Sequence, residues 1–186
     1  KYAFALAQSG DAYRHKGEFD RAIADLDKAL EIDPKHIDAV AVRGATYKQK
    51  GDFDRAIADL DKALEINPKD TFVLNFLGGV YLHKDDLDRA IANFDKALEI
   101  DPKNADAFAG RSMAYSAKGE LDRAITDFDK ALEIDSRVAI GLAGRGTAYL
   151  AKGEFDRAIA DFDKALEINP KNASALAQRG DAYRLK

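Results

Sequence analysis

The sequence lacks cysteine and tryptophan, and it has one methionine and only three histidines in 186 residues. Without thiols it can form neither disulfide bonds nor thiolate metal sites. The histidines, His15, His36 and His83, are scattered and form no HExxH pair, so the residue types of a metal centre do not come together. We therefore expect a protein that is not an enzyme and that needs no cofactor or metal.

Long apolar runs are missing as well, so no segment approaches the roughly 20 apolar residues of a membrane span. A dominant charge of one sign is also missing, because 29 basic and 33 acidic residues are mixed along the chain and leave a net charge of −4. This mixture argues against nucleic acid as a partner. No signal peptide is visible, which favours a cytoplasmic location. The missing initiator methionine indicates that targeting segments could lie outside this sequence.

One stretch of the sequence recurs at a fixed interval of 34 residues. Residues 17–35 read GEFDRAIADLDKALEIDPK, and similar segments begin at Gly51, Asp85, Gly119 and Gly153. Their apolar residues stand three and four positions apart, as in an amphipathic helix with one buried face. Proline ends this helix in four copies, whereas Ser136 stands there in the fourth, where we expect the least rigid junction. The fixed period predicts a stack of similar units.

The segments between these copies share a second pattern. A tyrosine recurs at the same interval, and a glycine or serine precedes it by three positions, as Gly10 precedes Tyr13 and Gly44 precedes Tyr47. Glycine within a helix costs about 1 kcal/mol relative to alanine, so its return indicates a packing requirement. We expect the paired helix to approach closely there, with Ala22 and its repeats as the contacts.

The two patterns together carry a resemblance to a known family. In the first unit they supply Leu6, Gly10, Tyr13, Gly17, Phe19, Ala22, Leu26, Ala29 and Pro34. Repeated in phase five times, this motif resembles the tetratricopeptide repeat family over the whole chain. The resemblance implies a single array, with units at 3–36, 37–70, 71–104, 105–138 and 139–172 and a partial unit at 173–186. The implied fold is all-α: a right-handed α-solenoid of five helix pairs plus a C-terminal capping helix.

The resemblance also implies a function and a site. The first helices of such units line a concave groove that binds an extended or helical segment of another protein. Here the first helix of the third unit is apolar nearly all round, so one of its faces is available to the groove. We predict the peptide-binding residues Phe72, Asn75, Phe76, Leu82, His83, Met113 and Leu150. In the fourth and fifth units, Gly110 and Gly144 are expected to be part of a smooth groove wall.

One alternative to this site remains open at the level of sequence. The aromatic residues of the third unit could instead pack against neighbouring repeats. The family's carboxylate clamp for chaperone tails has no counterpart, because its basic and amide positions fall on Ala7, Asp11, Val42, Phe72 and Phe76. The expected partner is therefore a protein or peptide of another class.

A recurring ion pair is expected inside the units. Arg43, Arg111 and Arg145 hold one repeat position, while Asp59, Asp127 and Asp161 hold another that the turn places opposite. The third unit changes both together, to Leu77 and Asn93. We expect these pairs to be partly exposed, where each contributes about 0–1 kcal/mol.

The last helix suggests a second function. It nearly repeats the first helix of the chain, yet it carries Leu176, Gly180 and Tyr183 on the face that would meet a following helix. Terminal repeats usually need a polar exterior, and an exposed apolar face tends to mark an interface. A self-assembly module, with a homo-oligomer formed through this helix, is therefore the alternative function.

Overall fold

The computed structural model describes residues 1–135 and 139–186, and the side chains of 139 and 140 are not among those described. The described residues form helices joined by turns. The eleven helices are α1 (Tyr2–His15), α2 (Phe19–Ile32), α3 (Ile37–Gln49), α4 (Phe53–Ile66), α5 (Thr71–His83), α6 (Leu87–Ile100), α7 (Ala105–Ala117), α8 (Leu121–Ile134), α9 (Ala139–Ala151), α10 (Phe155–Ile168) and α11 (Ala173–Leu185). None of them, within the described residues, is long and apolar enough to cross a membrane. Ser136 lies outside these residues, and the expectation for the fourth junction lies there with it.

The helices form two compact units, Lys1–Asp86 and Leu87–Lys186. These are called the first and second unit below, and a single 34-residue helix pair is called a repeat. In the first unit α1 packs on α2 and α3 on α4, while α3 also contacts α1 and α5. In the second unit each helix packs on the next in the chain, and α9 also contacts α7 and α11. Within each unit the odd-numbered helices therefore adjoin one another. This arrangement confirms the predicted all-α solenoid of helix pairs with a terminal helix. The prediction of one array, with the repeat boundaries given in the sequence analysis, stays a prediction.

The expected close approach at the repeating glycines is confirmed in the first two helix pairs. A Cβ on Gly10 would lie 3.1 Å from the carbonyl oxygen of Ala22 and 2.6 Å from Cγ of Leu26. A Cβ on Gly44 would lie 3.3 Å from the carbonyl oxygen of Ala56. A Cβ on Gly10 would therefore clash with Leu26, and one on Gly44 would be tighter than an ordinary contact, so glycine eases the close approach of the paired helices.

Gly110 and Gly144 correct one expectation, because the space over them is occupied by the protein itself. A Cβ on Gly110 would lie 2.3 Å from Cζ of Phe94, and one on Gly144 would lie 2.4 Å from Cζ of Phe128. Both phenylalanines are buried and belong to the second helix of the preceding pair. The prediction that these glycines form a groove wall is wrong, since each one accommodates an aromatic ring of the core.

The predicted Arg–Asp pairs are confirmed, and they are more buried than expected. In the first unit Arg43 donates to Asp59 through Nε at 2.8 Å and Nη2 at 2.6 Å. Its third nitrogen, Nη1, donates to Asp27 of the preceding helix pair at 2.6 Å. Asp59 is only 6% exposed. Its hydrogen bonds raise the pKa of Arg43 above the ordinary arginine value.

The same arrangement recurs twice in the second unit. Arg111 donates two hydrogen bonds to the buried Asp127 and a third to Asp95 of the preceding helix pair. Arg145 does the same with the buried Asp161 and with Asp129. Each arginine therefore joins consecutive helix pairs, a role that the sequence had not indicated. Asn93, which replaces the aspartate in the third repeat, donates its amide to the carbonyl of Arg89 at 2.8 Å.

Candidate peptide-binding groove

The first helices of the first unit, α1, α3 and α5, enclose a cavity of about 600 Å³. It is lined mainly by small and apolar side chains, with three aspartates among them. The lining residues are Phe4, Ala7, Gln8, Asp11, Ala12, His36, Ile37, Asp38, Ala41, Val42, Asp70, Phe72 and Val73. Eleven of them belong to α1, α3 and α5, and the other two, His36 and Asp70, directly precede α3 and α5.

Two aromatic side chains stand on opposite helices of this cavity. Phe4 on α1 is 52% exposed, and its ring stacks on His36 with centroids 6.3 Å apart. Phe72 on α5 is 70% exposed, and its ring stacks on Phe76 with centroids 6.2 Å apart. Covering an exposed apolar ring removes it from water and so lowers the free energy. These two rings are therefore the natural contacts for an apolar group of a ligand.

Helix-capping residues complete the wall. Asp70 accepts hydrogen bonds from the backbone N–H groups of Phe72 and Val73, both at 3.1 Å, and so fixes the start of α5. His36 caps α3 by accepting from the N–H of Ala39 through Nδ1 at 3.4 Å. The predicted peptide-binding residues include neither His36 nor Asp70, because both precede the helices from which that prediction was made. The signal that could have found them is the N-cap place before each first helix.

The carboxylates of the cavity differ in how they are satisfied. Asp11 accepts from Nε and Nη2 of Arg14, at 2.9 and 2.7 Å, and is neutralised locally. Asp70 is engaged by the start of α5. Asp38, on the first turn of α3, has no ion pair among the residues that the structure describes. One free negative charge therefore faces this end of the groove.

A smaller cavity of about 300 Å³ lies toward the other end of α3 and α5. It is lined by Lys48, Gln49, Phe53, Phe76 and His83. The rings of Phe53 and His83 stack nearly parallel, with centroids 5.9 Å apart. Nζ of Lys48 stands 4.7 Å from the ring centroid of Phe76. Burial lowers the pKa of Lys48 below the ordinary lysine value.

The structure distributes the predicted site residues over several places. Phe72 lines the large cavity, and Phe76 and His83 line the small one. Asn75 and Leu82, also on α5, are half-buried and line neither. Met113 and Leu150 belong to the second unit, where Met113 is 43% exposed and Leu150 packs against the core around Tyr149 and Phe162. Phe53 was missed because it comes from a second helix.

The predicted self-association face is open in the structure. Leu176 is 44% and Tyr183 58% exposed. Among the described residues, nothing lies within 4 Å of a Cβ placed on Gly180. In the part of the chain that is described, no group of three or more His, Asp or Glu side chains is placed to hold a metal ion.

The chain is similar to known tetratricopeptide repeat proteins in both sequence and structure. Family models described as tetratricopeptide repeat match residues 42–105, 81–139 and 139–172, and a model described as TPR repeat matches 10–51. The crystal structure of MamA is 32% identical, with a TM-score of 0.74 over 88% of this chain and 96% of that one. That of YrrB, described as a TPR protein with an unusual peptide-binding site, is 26% identical, with a TM-score of 0.71 over 96% and 92%.

A more distant structure shares the fold. A thermophilic TPR protein from Thermus thermophilus is 21% identical, with a TM-score of 0.81 over 98% of this chain and 99% of that one. A comparison with curated proteins found no match.

Proposed function

Because the chain belongs to the tetratricopeptide repeat family, we propose that it is an interaction scaffold that holds a peptide segment of a partner protein. Members of the family are generally scaffolds without enzymatic activity. The segment binds along α1, α3 and α5 of the first unit. The observation that carries this proposal is the exposed ring of Phe72 on the wall of the large cavity.

The cavity has the character of a peptide site. Ala7, Ala41 and Val42 are among its lining residues, so an apolar side chain can find small and apolar contacts there beside the two aromatic rings. Complete burial of a phenylalanine contributes about 1.5–3 kcal/mol. Most of that gain is still available at Phe72, since 70% of its surface is exposed before a ligand binds. The resemblance to YrrB, with its peptide-binding site, supports the same class of ligand.

Selection from a library of short random peptides, displayed with both ends joined to the carrier, tests the proposal. We expect the wild-type protein to enrich peptides that share a large apolar residue. Phe72→Ser should weaken a selected peptide about tenfold or more, which corresponds to about 1.4 kcal/mol. Ile32→Ser is the matched control, because Ile32 is exposed in the same unit and lines neither cavity.

Stability measurements separate binding from folding. Both serine variants should keep the helix content and melting temperature of the wild type, since each replaces an exposed side chain. Enrichment of no peptide, or equal affinity for wild type and Phe72→Ser, would overturn the proposal. If Phe72→Ser unfolds the protein, the ring belongs to the core and the alternative packing role is correct.

A second candidate function is self-assembly through α11. It is favoured by the exposed side chains of Leu176 and Tyr183 beside the open surface at Gly180. We propose that two copies meet at this face. Sedimentation at several concentrations should then show association that Tyr183→Ser reduces, whereas a monomer at all concentrations contradicts the proposal.

A further inference from the structure

Lys48 differs from the residue at the same repeat position in α1. There Arg14 is paired with Asp11, three residues earlier, at 2.7 Å. In α3 the place of that aspartate is taken by Ala45. Lys48 consequently has no carboxylate partner among the residues that the structure describes. Lys48 is therefore a cation that lacks the kind of carboxylate partner that Arg14 has in Asp11.

The surroundings of Lys48 hold the ammonium in place. Nζ lies over the face of Phe76, in the geometry of a cation–π contact. It also passes close to Gly79, where a Cβ would lie 3.5 Å from Nζ. The side chain is half-buried, and that burial lowers the pKa of Lys48. A half-buried charge without a counter-charge is unfavourable. An anion should therefore bind to the ammonium of Lys48 more strongly than to that of an exposed lysine.

We propose that Lys48, Phe76 and His83 form a subsite for the side-chain carboxylate of an aspartate or glutamate within the bound peptide. The inference rests on the proposed function and adds the chemistry of the partner. The ammonium donates to the carboxylate, and the rings of Phe76 and Phe53 cover the methylene groups. Gln49 and His83 at the edge of this cavity are exposed, so the peptide chain can run past it and does not have to end there.

The two cavities set the spacing of the ligand. They share a wall, because Phe72 of the large cavity stacks on Phe76 of the small one. Val42 and Lys48 line one cavity each and are six residues apart on α3, or about 9 Å at a rise of about 1.5 Å per residue. An extended peptide covers about 9 Å in about three residues. The acidic residue should therefore follow or precede the apolar anchor by about three positions.

The peptide selection, repeated on two lysine variants, tests this subsite. Lys48→Met removes the charge and keeps the apolar stem. Lys50→Met makes the same change in a nearby residue, whose ammonium pairs with Asp20. Wild type and Lys50→Met should enrich an acidic residue about three positions from the anchor, and Lys48→Met should lose that preference. Lys48→Met should also melt no lower than the wild type, because it removes an unpaired half-buried charge.

Synthetic peptides with blocked ends complete the test. For a selected sequence we expect Lys48→Met to weaken binding about tenfold, and replacement of the peptide's acid by its amide to weaken it equally in the wild type. The same replacement should have no effect on Lys48→Met. Equal affinities, or an acid preference seen only with a free C-terminal carboxylate, would refute the subsite. If apolar peptides bind through Phe72 without acid preference, the proposed function stands alone; if none bind, both fail.

Discussion

Removal of the Arg43 side chain is the sharpest test of how consecutive helix pairs are joined. The guanidinium binds Asp59 with two nitrogens and Asp27 with the third. The side chain of Asp59 is 9% exposed, while that of Asp27 is 47% exposed. Breaking a buried pair from one side costs about 3–5 kcal/mol, because the remaining charge stays buried. An exposed arm contributes about 0–1 kcal/mol. We therefore expect Arg43→Leu to lower the free energy of unfolding by about 3 kcal/mol and Asp27→Asn by less than about 1 kcal/mol.

The third repeat supplies the design of the double variant. It carries leucine and asparagine at the two positions, and its asparagine donates to the backbone of its own helix. Arg43→Leu with Asp59→Asn removes both charges together, so no buried carboxylate is left unpaired. The double variant should be more stable than the sum of the single changes predicts, by about 2 kcal/mol.

Urea denaturation followed by far-ultraviolet circular dichroism measures these differences through the transition midpoint at constant m. The isolated change Asp59→Asn completes the cycle. Additivity of the two single changes within about 0.5 kcal/mol would refute the reasoning. So would an Arg43→Leu variant that loses less than about 1 kcal/mol, since the pair would then behave as an exposed one.

Three further predictions concern single positions. Gly110→Ala should destabilise the protein by about 1–3 kcal/mol, because its Cβ would lie 2.3 Å from Cζ of Phe94. Gly180→Ala, where the described residues leave open space, should stabilise it by about 1 kcal/mol. The midpoints of urea denaturation test both changes. Asp85 has a φ of 59°, where its repeat counterparts are glycine, so Asp85→Gly should raise the melting temperature by relieving about 0.5–1 kcal/mol of strain. The stability of wild type relative to Lys48→Met should fall as pH drops from about 10.4 to the lowered pKa of Lys48, because the unfolded chain binds the proton more tightly in that range. Urea midpoints that stay parallel from neutral to alkaline pH would contradict this.

Much of the fold could be predicted because the residues that build it recur in phase. The amphipathic stripe places each second helix, and the repeating glycine places the close contact between Gly10 and Ala22. The Arg–Asp pairs were predictable for the same reason, since two recurring charges changed together in one repeat. Their burial was not predictable, because it depends on how tightly the helices pack around Asp59.

The candidate site was only partly predictable. Predictions from the family resemblance identified Phe72 and Phe76 as groove residues. They failed at Gly110, because the ring size of Phe94 in the preceding pair decides whether the position faces a groove or the core. They also left out the capping His36, since capping residues lie before the helices that carry the groove positions.

Differences between corresponding positions of the repeats fall into two groups, and the distinction yields a last test. Some are compensated, as where a large Phe94 meets Gly110. The difference between Asp11 in α1 and Ala45 in α3 is uncompensated, since Lys48 has no carboxylate like the one that pairs with Arg14. Ala45→Asp should restore the i,i+3 pair seen in α1 at Asp11 and Arg14. Fold and melting temperature should change little, since exchanging alanine for aspartate in a helix costs about 0.7 kcal/mol and the new pair returns a few tenths.

Binding of acidic peptides by Ala45→Asp should nevertheless fall about tenfold, because the new carboxylate occupies the ammonium and repels that of the ligand. Ala45→Asn has nearly the same size and no charge, and it should bind as the wild type does. Fluorescence anisotropy with a selected peptide compares the three proteins. Equal weakening by aspartate and asparagine would show that bulk at this position, and not the charge on Lys48, controls the small cavity.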